Sequence, residues 1–133
     1  KINKIENITT LLNIALSNKD GKAKMRSVSK HNQIQLSKFE INETGDVDVE
    51  TKVFDNLYKF EKEYIFIKCD VEGHEIKTLE GMKSTLYKNN CLIQIEIFSQ
   101  NYKKTERILN SLDYFIVYVS EERDTYFFGK KIL

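Results

Sequence analysis

At 133 residues, with 41% hydrophobic and 31% charged side chains, the chain has the makeup of one compact domain spanning 1–133, not of a disordered tail. Its 21 basic and 20 acidic residues leave a net charge of +1, so no overall field favours a nucleic-acid partner. No apolar stretch nears the roughly 20 residues that cross a bilayer, and Lys1 to Glu6 lacks the apolar region of a secretory signal. Cys69 and Cys91 lie in apolar runs that suit reduced core thiols, so no membrane partner and a cytoplasmic location are expected. Because the first residue is lysine, further sequence upstream of it is also expected.

After a short helical lead-in, Thr10 to Leu16 reads as an apolar strand, and Asn18-Lys19-Asp20-Gly21 carries an Asp-Gly turn signal. The predicted hairpin returns along Lys22 to Val28, where Lys22, Lys24 and Arg26 alternate with Ala23 and Met25. Ser29 to Gly45 is weakly patterned and reads as a loop or poorly formed strand that covers a site. Val47, Val49 and Val53 alternate with charged residues in a half-buried strand, and Asp55 to Glu63 has the composition of a short helix.

From Tyr64 the pattern changes. Tyr64-Ile65-Phe66-Ile67 is apolar without alternation, as expected of a central strand covered on both faces in a parallel sheet. Glu75 to Tyr87 spaces Ile76, Leu79, Met82 and Leu86 as one helix, and Gly81 within it points to a close helix–sheet approach. Cys91 to Phe98 is a second buried strand, Tyr102 to Leu112 a second helix, and Tyr114 to Val119 a third strand. Thr125 to Phe128 is a last strand that joins antiparallel after a tight Glu121 to Asp124 turn. The class is α/β with right-handed crossovers.

The densest cluster of reactive side chains is Asp70-Val71-Glu72-Gly73-His74-Glu75, where a strand ends and a helix begins. Open α/β sheets bind ligands at that place, and carboxylates beside an imidazole suit proton transfer or hydroxyl binding. Asp70, the first carboxylate after the strand core, leads the candidates. Glu75 suits the positive end of the helix dipole better than a substrate contact. Gln94 and Glu96 share one strand face, and Glu96 is a candidate for the same crevice if that face is not simply solvated. His31, Cys69, His74 and Cys91 show no zinc-ligand spacing, so no metal site is expected. The five glycines are scattered and none forms G-x-G, which leaves neither a P-loop nor a dinucleotide fingerprint.

Ile67 to Met82, IKCDVEGHEIKTLEGM, resembles the hallmark segment of the FkbM methyltransferase family, in which a strand ends in Asp-Val-Glu-Gly and a helix starts with Glu. Asn7 to Lys24, Val47 to Leu57 and Leu92 to Ile97 resemble further segments of that family in the same order. The resemblance implies a Rossmann-like methyltransferase sheet, mostly parallel with an antiparallel last strand, whose N-terminal strands and glycine loop are missing here. It also implies methyl transfer from S-adenosylmethionine to a hydroxyl of a saccharide or other small molecule. Asp70, Glu72 and His74 become the candidate catalytic residues, and Ala15, Leu16, Ser17 and Asp70 the candidate cofactor contacts. Glu75 and Glu96 become candidate substrate contacts. Two departures stand in the matching part, Asn89-Asn90 where a proline is expected and Thr51-Lys52-Val53-Phe54 in place of Thr-Leu-Asp-Asp. Against the enzyme reading stands a binding or scaffold remnant that pairs with a separate N-terminal half or with itself through strand edges. A small regulatory α/β domain is the third reading and rests on fold analogy alone.

Overall fold

The computed structural model describes residues 6–27, 39–41, 44–121 and 124–130. It is α/β, but among the described residues the strands form two four-stranded mixed sheets, not the one mostly parallel sheet expected. The first contains β1 (Ala15–Leu16), β2 (Gly21–Ser27), β3 (Phe39–Ile41) and β4 (Val47–Lys52), in the order β1-β4-β2-β3. The second contains β5 (Tyr64–Cys69), β6 (Asn90–Glu96), β7 (Tyr114–Val119) and β8 (Thr125–Lys130), in the order β5-β6-β8-β7.

The predicted hairpin of Thr10 to Leu16 with Lys22 to Val28 does not form. Only Ala15–Leu16 is a strand, and it pairs parallel with β4, while β2 pairs antiparallel with the other edge of β4. β4 thus occupies the place the hairpin partner was expected to take. Asp20 explains part of this, because its carboxylate accepts the Val53 N–H at 2.7 Å and turns the Asp-Gly corner toward the end of β4. Most of the Ser29 to Gly45 segment lies outside the described residues, as do Val28 and two residues of the Glu121 to Asp124 turn. Its described part includes β3, which extends β2 with Met25 opposite Ile41.

Among the described residues β5 is likewise not a central strand. It sits at the edge of its sheet, and Ile65, Ile67 and Cys69 face the core while Tyr64 and Phe66 are 88% and 61% exposed. The reason is one-sided cover. Helices α2 (Glu75–Gly81), α3 (Lys83–Lys88) and α4 (Tyr102–Asn110) supply Leu79, Leu86 and Leu109 to one core with Cys91, Ile93 and Ile95 of β6 and Phe128 of β8. On the opposite face Phe66, Leu92, Phe115 and Val117 remain exposed. β5 and β6 are parallel and β8 runs antiparallel between β6 and β7, so the expected antiparallel last strand is present and extends through Lys130. Among the described residues no helix is long and apolar enough to cross a membrane.

The helix expected over Asp55 to Glu63 is a single turn, α1 (Phe54–Leu57), after which the Phe54, Tyr58 and Phe60 rings gather at 5.4–6.4 Å. The helix expected from Glu75 to Tyr87 breaks at Met82. There Asp55 accepts the Ser84 and Thr85 N–H groups at 2.7 and 2.9 Å, satisfying donors that a helix start leaves without partners. Asn89, which stands near the position of the expected proline, is buried. Its side chain accepts the Glu63 N–H and donates to the Phe60 and Thr85 carbonyls at 2.8–2.9 Å, an anchor a proline cannot make.

Candidate active site

Asp70 follows the last residue of β5, and residues 71–74 turn the chain into α2. The turn is tight, with the His74 N–H donating to the Val71 carbonyl at 3.1 Å. Two consecutive residues are left-handed, Glu72 at φ 46° and Gly73 at φ 95°. Glycine adopts that region freely, whereas for Glu72 it costs about 1–2 kcal/mol. Backbone strain of this sort concentrates at functional sites, where the surrounding structure must hold it. Here the buried carboxylate of Glu75, 1% exposed, accepts the Gly73 N–H at 3.0 Å, and Asn101 bonds both Glu75 and the Gly73 carbonyl.

The first sheet docks beside this turn through the strip that follows β1. The Ser17 N–H donates to the Lys52 carbonyl at 2.8 Å, and the Thr78 hydroxyl of α2 donates to the Leu16 carbonyl at 3.3 Å. Gly81 of α2 lies directly against the Ser17 carbonyl, the close approach that the glycine was expected to serve, although its partner is the strip after β1. The Ser17 hydroxyl and His74 Nε2 form a hydrogen bond of 3.1 Å whose direction follows the imidazole tautomer.

Between the two parts lies a cavity of about 370 Å³, within the range of small-molecule sites. Asp70, Val71, Glu72 and His74 form one wall, and Ile14, Ala15 and Leu16 form another. Met25 and Ile41, directly opposed across β2 and β3, close a third side. The structure therefore brings together five of the singled-out residues, Ala15, Leu16, Asp70, Glu72 and His74. Ser17 stands behind the wall, buried and bonded to His74. Glu75 does not line the cavity, because both of its oxygens are engaged beneath the turn. Glu96 is half-buried at the end of the neighbouring strand and is not part of the wall. Burial, and then repulsion from Asp70, Asp124 and Glu72, pushes its carboxyl above the usual range. Met25, Ile41 and Asn101 were not among the expected site residues. The alternation of β2 places Met25 on its apolar face, whereas nothing local marks Ile41 or Asn101. Among the described residues no group of three or more His, Cys, Asp or Glu could hold a metal ion, and His31 lies outside them.

A family model for the methyltransferase FkbM domain matches residues 2–125 of the 133. The chain belongs to this family. No significant match was found among curated proteins or among solved structures. As an FkbM-family domain it is a methyltransferase at the level of the family, and the acid-rich turn between β5 and α2 lies within the matched residues and faces the cavity.

Burial, and then the nearby Lys77 charge, hold the His74 imidazole below its ordinary value of 6.5, with Glu75 opposing. The unfolded chain then takes up a proton near pH 6.5 before the folded one does. Stability linked to His74 is fully present above that value and is lost as the pH falls toward the folded pKa. Thermal unfolding of the wild type is expected to drop in midpoint between about pH 7.5 and 5.5, and a His74→Gln variant to show a flatter profile there. Equal slopes would mean that His74 carries none of the dependence.

Proposed function

We propose that this FkbM-family domain transfers a methyl group from S-adenosylmethionine to a hydroxyl of a small molecule or saccharide. The observation that carries the reading is the shared cavity, in which Asp70, Glu72 and His74 face Ala15 and Leu16. Its two characters suit a cationic ligand with a flat apolar ring. Ile14, Leu16, Met25 and Ile41 offer apolar contact, and Asp70 and Glu72 offer negative charge to a sulfonium. S-adenosylmethionine, when bound, supplies an activated methyl group.

The chain's own residues then have to orient the acceptor and take up its proton. Asp70, at the end of β5 and open to solvent, is the base or acceptor ligand. Glu72 lines the same wall, and His74 is kept neutral, with a ring nitrogen tied to Ser17. The near-neutral net charge supports a small acceptor over a nucleic acid, and a cytoplasmic location is part of the same reading.

In the second sheet, β5, β6 and β7 share one direction and β8 opposes them, which supports a Rossmann-like arrangement for that part. Among the described residues β5 pairs only with β6, so its other edge can accept further strands, and with them a glycine loop of the kind this sequence lacks. That lack also favours a second reading, a domain that keeps the fold without binding cofactor. Calorimetric titration of S-adenosylmethionine into this chain and into the product of its complete reading frame separates the two. Binding by either form supports the enzyme. If neither form binds, the cofactor reading is wrong and the scaffold reading replaces it.

A further inference from the structure

We propose that Asn101 is a positioning residue for the acidic wall of the cavity, holding the left-handed turn that aims Asp70 and Glu72. The inference rests on the methyltransferase reading for its consequence, but on the geometry of the turn for its substance.

Asn101 occupies the N-cap position of α4, where an asparagine ordinarily turns its side-chain oxygen onto an N–H of the first helical turn. It makes no such cap bond. Its amide nitrogen points instead to the other loop, donating to the Gly73 carbonyl at 3.1 Å and to Glu75 Oε2 at 2.7 Å. Both partners are acceptors, so the opposite amide orientation would set oxygen against oxygen, and only the nitrogen satisfies them. Glu75 Oε1 accepts the Gly73 N–H, which closes a ring through Gly73, Glu75 and Asn101.

That ring holds both backbone polar groups of Gly73, the residue after the left-handed Glu72. The Phe98 ring lies about 3.6 Å from where a Gly73 side chain would begin, so the β6–α4 connection packs against the turn as well as bonding it. A buried carboxylate also needs hydrogen-bond donors, and the Asn101 amide is a donor to Glu75. Removing the amide leaves Glu75 with one fewer partner and frees the Gly73 carbonyl. The turn can then relax from its left-handed conformation, which moves Asp70 and Glu72 away from the cavity. Asn101 touches neither the cavity nor a reacting atom, so its effect on chemistry is indirect.

The test uses the full-length protein, with Asn101→Ala, Asn101→Asp and the double variant Asn101→Asp/Glu75→Gln. Hydrogen exchange of the Gly73 amide reads the turn, S-adenosylhomocysteine titration reads the cavity, and exchange of the Ile93 and Ile95 amides reads the core. Both single variants are expected to speed Gly73 exchange and weaken S-adenosylhomocysteine binding by about tenfold or more, the scale of one bond to a charged group, with core exchange unchanged. The double variant restores a bond between positions 75 and 101 with donor and acceptor exchanged but offers the Gly73 carbonyl no donor, so it is expected to recover Gly73 protection only in part. Unchanged Gly73 exchange in both single variants overturns the proposal, as does faster Gly73 exchange with unchanged binding. If the wild type itself binds no S-adenosylhomocysteine, the cofactor reading fails with the functional half of the proposal, while Gly73 exchange still decides whether Asn101 holds the turn.

Discussion

Replacing Gly81 with alanine is expected to lower stability by about 2–4 kcal/mol, the upper part of the range for inserting a methyl into a close-packed contact. An added Cβ would overlap the Ser17 carbonyl oxygen and stand 2.9 Å from its carbon. The obstruction is backbone and not the far end of a flexible side chain, so no rotamer change relieves it. Alanine favours a helix by about 1 kcal/mol over glycine, and the expected net loss means that the contact outweighs the propensity. The strip against Gly81 also carries Leu16 and Ser17, so separating it from α2 opens the cavity and strains the Ser17–His74 bond. Thermal unfolding gives the check, with a fall in midpoint of roughly 6–15 °C expected for a domain of this size. A Gly81→Ala protein as stable as the wild type would mean that helix and strip are not in the contact described.

Asp70→Asn is expected to reduce methyl transfer by about 10²–10⁴ while leaving the fold intact, the range typical of losing a positioned base. The substitution keeps size and shape and removes only charge and basicity. Asp70 is exposed at the end of β5, so its loss leaves no buried group without a partner. It has a second effect that does not depend on turnover. The Asp70 charge is the second contribution, after burial, to the raised Glu96 carboxyl, so the variant is expected to bring Glu96 back toward its ordinary range. Side-chain carboxyl titration by NMR measures this directly. Loss of activity together with a shifted Glu96 places both residues at one charged rim. A fully active Asp70→Asn enzyme would move the role of base to Glu72 or His74.

The acid side of the cavity was legible from the sequence because it is local. A mostly apolar strand ends at Cys69, Asp70 follows at once, and a helix pattern begins at Glu75, so Asp70, Glu72 and His74 fall at a strand-to-helix corner without any long-range information. Glu75 was legible only as to place. Its neighbours fit either the helix dipole or a substrate, and the ring with Gly73 and Asn101 is what directs it inward. The apolar side was less legible. Met25 and Ile41 reach the cavity only because β2 pairs with β3 on one side and β4 on the other, and Ile41 lies in a stretch with little periodicity.

The strand errors have one origin. Apolar runs at Thr10 to Leu16 and Tyr64 to Ile67 were read as continuous strands, one in a hairpin and one central, because an apolar run does not name its neighbour. The structure gives β1 a parallel partner 36 positions away, in the register Ala15 to Thr51, and gives β5 cover on one face only.

By itself, therefore, the sequence determined the α/β class, the antiparallel last strand, the acid-rich corner and the family to which that corner belongs. The class, the strand and the corner depend on side-chain period and turn stereochemistry, which residues a few positions apart establish among themselves, whereas the family rests on the match over residues 2–125. The tertiary structure alone decided that the strands divide into two sheets, that β5 keeps a free edge among the described residues, and that Asn101 reaches Gly73 instead of capping its own helix. Those outcomes depend on which distant backbone and buried polar groups satisfy one another. Many pairings suit the same local pattern, and only closure of the whole chain selects among them.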